Sequence, residues 1–189
     1  PPKGAGRDAY LTAVTEIENE LVEIIDVERI LADIVPVNSD VSEEVANAEV
    51  NVAKEDLTLL ITDDSSVARN QIKRALQSLG INLEVKKNGK EALEYLKEKA
   101  KELGGNVHTH VPVMVSDVEM PVMDGYTLTA EVKADPDLRD IHVILHTSLS
   151  GVFNQAMVKK VGADDFIAKF HPDELATAVQ KWLNTEVTI

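Results

Sequence analysis

From Leu57 to Leu183, short apolar runs alternate with amphipathic stretches five times over, and few folds accommodate that rhythm. Leu57-Thr58-Leu59-Leu60-Ile61-Thr62 has the length and apolarity of a strand covered on both faces. Ser65 or Ser66 then caps a helix carrying Val67, Ile72, Ala75, Leu76 and Leu79, with Gly80 at its carboxyl stop. Ile81–Val85 reads as a second strand and Asn88-Gly89 as a turn, and a helix runs from about Glu91 to Leu103-Gly104-Gly105. Val111–Ser116 is the third strand, followed by a helix from Met123 to about Ala134, with Pro136 just beyond. His142–His146 is the fourth strand, Val152–Val161 a helix ended by Gly162, and Phe166–Ala168 the fifth strand. Pro172–Leu183 is the last helix, with its proline at an allowed first-turn position. Five βα units in succession predict a parallel sheet with helices on both faces.

Sheets of this kind form sites at the carboxyl ends of their strands. Asp63-Asp64, Asp117, Thr147 and Lys169 follow the first, third, fourth and fifth strands. If the strand order is 2-1-3-4-5, those strands are neighbours and the four positions converge. Asp117 closes the run Val113-Met114-Val115-Ser116 and precedes Pro121 and Gly125. A carboxylate there can attack phosphorus and form an acyl phosphate. The oxygens of the transferred group must then be held, and the Lys169 ammonium and Thr147 hydroxyl suit that task. Asp63 and Asp64 beside Asp117 crowd like charges together, which a hard divalent cation relieves; Mg²⁺ favours such oxygen donors. Direct ligation is expected from Asp64, Asp117 and the backbone carbonyl of Glu119, with Asp63 acting through a water. Singly, each residue has an ordinary use: the aspartate pair as a turn or cap, Lys169 on the surface, Thr147 in a strand. Their order and shared placement at strand ends carry the reading.

Composition narrows the alternatives. The 189-residue chain is 44% hydrophobic, enough for one ordinary domain and something smaller. It has no cysteine, which removes disulfides, thiolate nucleophiles and cysteine-bound metals. Net charge is −14, and residues 1–56 hold four Lys/Arg against fourteen Asp/Glu. That acidity and the seven aromatic residues disfavour nucleic-acid binding. No apolar stretch nears the ~18 residues that span a bilayer, so no membrane insertion is expected. With no secretory signal pattern either, a cytoplasmic location is expected. The opening Pro1-Pro2-Lys3, without methionine, reads as a fragment of something longer.

Before Leu57 the pattern changes. Residues 36–56 read as an acidic linker, helical in part. Residues 10–17 and 21–25 are β-rich and separated by Glu18-Asn19-Glu20, a hairpin signal. Asp26 can cap a short helix with Val27, Ile30, Leu31 and Ile34 on one face. This amino-terminal piece is below the ~40 residues usually needed to fold alone.

Residues 57–184 resemble the receiver domain of two-component response regulators. The matching residues are Asp63-Asp64, Asp117 with Met120-Pro121 and Asp124-Gly125, Thr147, and Gly162-Ala163-Asp164-Asp165-Phe166 leading to Lys169. The resemblance implies a five-stranded flavodoxin-like, CheY-like fold of order 2-1-3-4-5. It also implies Asp117 as phosphoacceptor, a histidine kinase as donor, and Thr147 with Phe166 as a switch pair. Phosphorylation would draw the Thr147 hydroxyl inward, let the ring fill the space, and change the face around the fourth strand, fourth helix and fifth strand. The stretches Tyr10–Thr15 and Glu20–Leu31 resemble the closing strands and helix of a CheW-like coupling domain. His146–Gly151 and Lys169-Phe170-His171-Pro172 also resemble the CheV-type chemotaxis coupling proteins, which join such a domain to a receiver. The expected organisation is therefore residues 1–35 from a CheW-like domain, 36–56 linker and 57–189 receiver. The implied partners are a chemotaxis histidine kinase and, through the CheW-like part, chemoreceptors.

Two positions depart from the receiver pattern. Phe170 follows Lys169 where most receivers have proline, so the local turn is expected to differ. Glu119 places an acidic side chain two residues after the phosphoacceptor, which predicts an unusual acyl-phosphate lifetime. The leading function is a phosphorylation-controlled signalling adaptor, with a phosphoryl sink for the kinase as its alternative. A phosphatase with an aspartate nucleophile is a different class; Asp117 falls after the third strand, where such enzymes usually use an early one. His108 and His110 read as a solvent-exposed loop rather than a metal site, and Trp182 as packing.

Overall fold

The computed structural model describes residues 11–17, 20–25, 30, 41–46, 56–147, 152–169 and 171–186. The chain forms two compact units, Pro1–Asn38 and Ser39–Ile189. In the first, β1 (Leu11–Ile17) and β2 (Glu20–Ile25) pair antiparallel. Val14, Ile17, Leu21, Val22 and Ile25 are exposed on this ribbon. The helix expected after Asp26 lies outside the described residues except at Ile30, which is helical.

The second unit opens with α1 (Glu43–Ala46) and continues β3 (Thr58–Thr62), α2 (Ser66–Gln77), β4 (Asn82–Lys86) and α3 (Gly89–Leu103). After a 3₁₀ turn at Val107–Thr109 come β5 (Val113–Ser116), α4 (Gly125–Ala134), β6 (His142–Thr147), α5 (Val152–Val161), β7 (Asp165–Ala168) and α6 (Pro172–Glu186). The sheet is parallel in the order β4-β3-β5-β6-β7, which counted within the sheet is the expected 2-1-3-4-5. Thr62 pairs with Ser116, Ser116 with Leu145, and Thr147 with Ala168. The central strands therefore end almost level, and their following loops share one edge.

Strand geometry sends alternate side chains to opposite faces. Leu59, Ile61, Val113, Val115 and Ile144 pack with Ile72 and Leu76 of α2 and Leu175, Val179 and Leu183 of α6. Leu60, Met114 and Val143 pack with Leu93 and Leu96 of α3 and Leu128 and Val132 of α4. Each such side chain contributes about 1.5–3 kcal/mol by leaving water. This double burial is what the unbroken apolar run at Leu57–Ile61 encodes. Trp182 packs at the edge of the first cluster, its ring centroid 5.0 Å from that of His142.

Several boundaries differ from the sequence reading. Asn88 is the N-cap of α3, accepting the Glu91 N–H at 3.0 Å and donating its Nδ2 to Glu91 at 3.0 Å. The Asn88-Gly89 pair is thus a cap and a first helical residue rather than a free turn. β5 starts at Val113 and not Val111, because Pro112 has no N–H and Val111 donates back to Val107 at 2.7 Å. α4 starts at Gly125 and not Met123, since Met123 donates to the Pro121 carbonyl at 2.8 Å and Asp124 caps the helix. α6 continues past Leu183 to Glu186. His108 lies in the 3₁₀ turn and His110 just after it; both are half-buried, not solvent-exposed.

Two tethers hold the outer parts. The Lys133 ammonium donates to the carbonyls of Arg139 at 3.1 Å and Ile141 at 2.8 Å and to Asp164 Oδ2 at 2.7 Å. That same carboxylate oxygen accepts the Val143 N–H at 2.7 Å, so the end of α4 is fixed to the amino ends of β6 and β7. On another side, the Ser42 N–H donates to Asp173 Oδ1 at 2.8 Å and Gln180 Nε2 donates to the Val45 carbonyl at 2.8 Å. These two bonds seat α1 on α6. No described helix is long and apolar enough to cross a membrane.

Candidate functional site

Where β3 ends, Asp63 is fixed from three directions. Its N–H donates to Lys86 at 3.3 Å, its Oδ1 accepts the Ser65 N–H at 2.8 Å, and its carbonyl accepts Arg69 Nη1 at 2.7 Å. Ser65 meanwhile caps α2, accepting the Ala68 N–H at 3.3 Å. Asp63 is fully buried, whereas Asp64 is exposed beside it. At the end of β5, the Asp117 N–H donates to the Thr62 carbonyl at 2.8 Å. Asp117 Oδ1 accepts the Val118 N–H at 2.7 Å. Backbone bonds thus orient the Asp117 carboxylate before any ligand arrives.

Ligand atoms of Asp63, Asp64 and Asp117 lie within 4.8 Å of one another. Among the described residues, this is the one His/Cys/Asp/Glu cluster able to hold a metal ion. Lys169 Nζ lies 3.1 Å from Asp63 Oδ2 and 3.1 Å from Asp117 Oδ2, and the lysine is almost completely buried. Its N–H donates to the Thr147 carbonyl at 3.0 Å, tying the turn after β7 to the end of β6. Burial raises the Asp117 pKa from 3.8 to about 7; Lys169 opposes that shift and Asp63 adds to it. Three carboxylates against one ammonium leave negative charge in a mostly dry cleft. An all-oxygen donor set of this charge fits a hard divalent cation such as Mg²⁺.

The loop from Asp117 to α4 is shaped by close backbone approach. A Cβ on Gly125 would collide with the Asp117 carbonyl and lie 3.0 Å from Val118 Cα. A Cβ on Gly89 would lie 2.7 Å from the Met123 carbonyl, which accepts the Gly89 N–H at 3.1 Å. Asp124 completes the turn, its Oδ1 accepting the Thr127 N–H at 2.8 Å and its Oδ2 the Thr127 hydroxyl at 2.9 Å. Val122 is held at φ 71, an uncommon conformation for a β-branched residue. Glu119 is exposed at the rim of this loop.

Thr147 is buried at the end of β6. Phe166 pairs with Leu145 and packs into a small cluster with Val118, Leu145 and Val158. Leu145 and Thr147 emerge on one face of β6, as do Phe166 and Ala168 on β7, so Thr147 and Phe166 share a face one step apart. Ser148–Gly151 and Phe170, which carried part of the sequence reading, lie outside the described residues.

The sequence reading had Met120 only as part of the motif after Asp117 and was silent on Arg69 and on the burial of His146. Met120 Sδ accepts the Thr62 hydroxyl at 3.5 Å beneath the Asp117 loop. His146 is buried and its pKa is lowered to about 3, first by burial and then by Lys169 and His171. The one sequence signal for His146 is a polar residue directly after the apolar run Val143-Ile144-Leu145.

Residues 59–180 match the family described as response regulator receiver domain. The chemotaxis protein CheV3 of Helicobacter pylori is 30% identical over 176 residues, covering 92% of this chain and 55% of CheV3. CheV2 of the same organism is 28% identical over 183 residues, covering 96% and 56%. The chain thus spans about half the length of the curated relatives it matches. Among solved structures, the receiver domain of a signal transduction histidine kinase from Syntrophus aciditrophicus is 36% identical with TM-score 0.57, covering 69% of this chain and 92% of that one. The chemotaxis protein CheY4 of Vibrio cholerae is 28% identical with TM-score 0.56, covering 66% and 97%. The family match begins inside β3 and ends inside α6, and so takes in the whole acidic cleft and the buried lysine that bridges it. This chain belongs to the response regulator receiver domain family.

Proposed function

We propose that this chain is the phosphorylation-controlled part of a chemotaxis signalling adaptor. Asp117 is its phosphoacceptor, a chemotaxis histidine kinase is its phosphoryl donor, and the output is a change in receptor–kinase coupling. The observation that carries the reading is Lys169, its ammonium 3.1 Å from both Asp63 and Asp117 in a buried cleft. In the proposed step a carboxylate oxygen of Asp117 bonds to phosphorus as the P–N bond of a phosphohistidine breaks. The imidazole leaves with the electron pair and takes up a proton.

Lys169 and the Thr147 hydroxyl hold oxygens of the transferred group in this scheme. Asp64, Asp117 and the Glu119 carbonyl would hold Mg²⁺ directly, with Asp63 acting through a water. When bound, Mg²⁺ would supply positive charge that offsets the carboxylates and the transferred group. Thr147 and Phe166 then act as the switch pair. Receiver domains of this kind are signalling domains and not conventional enzymes. In this reading residues 1–35 are the end of a CheW-like domain that meets chemoreceptors, 36–56 a linker and 57–189 the receiver; similarity to the CheV proteins over more than nine-tenths of the chain supports the chemotaxis assignment.

Incubation with acetyl phosphate and Mg²⁺, read by intact mass, tests the reading. The wild-type chain is expected to gain one phosphoryl group, and Asp117→Asn none. Absence of an Asp117-dependent gain would remove the proposal.

A further inference from the structure

α1 lies against α6 through bonds that no local pattern announces. Ser42 donates to Asp173 at 2.8 Å, and Gln180 donates to the Val45 carbonyl at 2.8 Å. Asp173 and Gln180 stand two helical turns apart on one face of α6. Ala176 lies between them and is fully buried, and Gln180 is buried too. A glutamine on a free surface helix stays in water; this one has its amide committed to the segment before the sheet.

We propose that residues 42–46 are a tethered ligand of α6, released when the phosphoacceptor cleft is loaded. The proposal rests on Asp117 being the phosphoacceptor. α6 starts at Pro172, just after Lys169, and its next residue, Asp173, holds Ser42. Lys169 now bridges Asp63 and Asp117, while its own N–H holds the Thr147 carbonyl. A phosphoryl group on Asp117 puts new anionic oxygens in front of that ammonium and turns the facing carboxylate oxygen into part of an acyl phosphate. Lys169 must re-seat, and α6, which begins three residues later at Pro172, shifts with it. The Ser42–Asp173 bond is already at optimal length, so a shift of about 1 Å in any direction weakens it. Re-seating therefore loosens α1. By reciprocity, losing the α1 contact favours the loaded cleft.

The test uses the full chain with beryllium fluoride and Mg²⁺. Occupancy is read by the bound ¹⁹F resonance and docking by amide hydrogen exchange at residues 42–46. Exchange at Ala46 is expected to quicken about tenfold on loading. Gln180→Ala, which removes the donor, and Ser42→Pro, which removes the other N–H without altering the receiver, are each expected to bind beryllium fluoride about fivefold tighter, the worth of one ordinary hydrogen bond. A bound resonance with unchanged exchange at 42–46, or both variants with wild-type affinity, overturns the tethered-ligand proposal and leaves the phosphoacceptor reading standing. No bound resonance in wild type overturns both.

Discussion

Asp117 carries a charge that its surroundings resist. Burial lifts its pKa to about 7, and the lysine beside it offsets only part of that effect. A folded-state pKa above the unfolded value favours the protonated form. Without metal, the stabilisation linked to Asp117 is therefore complete below pH 4 and is lost as pH rises through 7. Asp117→Asn has no such loss. In chelator, its melting temperature is expected to exceed that of wild type at pH 8, with the gap closing toward pH 4. Mg²⁺ is expected to raise the wild-type value and narrow the gap at pH 8. Thermal melts across that range check both, and a gap independent of pH would count against the raised pKa. Asp63, Asp117, Thr147 and Lys169 were legible in the sequence because each lies at or just past the carboxyl end of a strand. The buried His146 was not, because a histidine near a strand end reads the same whether it faces water or core.

Among the elements, strands were more legible than the starts of helices. A buried parallel strand such as Leu59–Ile61 needs apolar residues on both faces, and nothing else in a polar chain looks like that. A helix start depends on which side chain turns back to its own backbone. Asn88 and Asp124 both do so, and this moved two boundaries from where composition placed them. The loop between β5 and α4 shows the same dependence on backbone detail. Gly125 has the Asp117 carbonyl where a Cβ would go, and neither group can retreat along a flexible side chain. Gly125→Ala is expected to destabilise the domain by about 3 kcal/mol, as overpacking at rigid backbone does. Denaturant unfolding measures the change, and a loss below a few tenths of that value would mean the loop gives way.

For the molecule as a whole, stability is unevenly spread. The β1–β2 ribbon exposes Val14, Ile17 and Leu21, and a two-stranded ribbon is marginal by itself in water. β3 lies at the other extreme, with Leu59, Leu60 and Ile61 fully buried. Native-state hydrogen exchange is expected to show residues 11–25 exchanging at least ~100-fold faster than 59–61. Comparable protection would show that the ribbon has a cover of its own. The seating of α1 on α6 belongs to this scale too, and the sequence was silent on it because its partners lie more than a hundred positions apart. Lys133 gives the sheet an anchored end. Its ammonium grips the amino ends of β6 and β7. Lys169 lies at the opposite end of that strand pair, roughly 15–20 Å away at strand rise. A displacement at Lys169 is therefore expected to be largest at the rim where α6 begins and to fade toward the end that Lys133 holds.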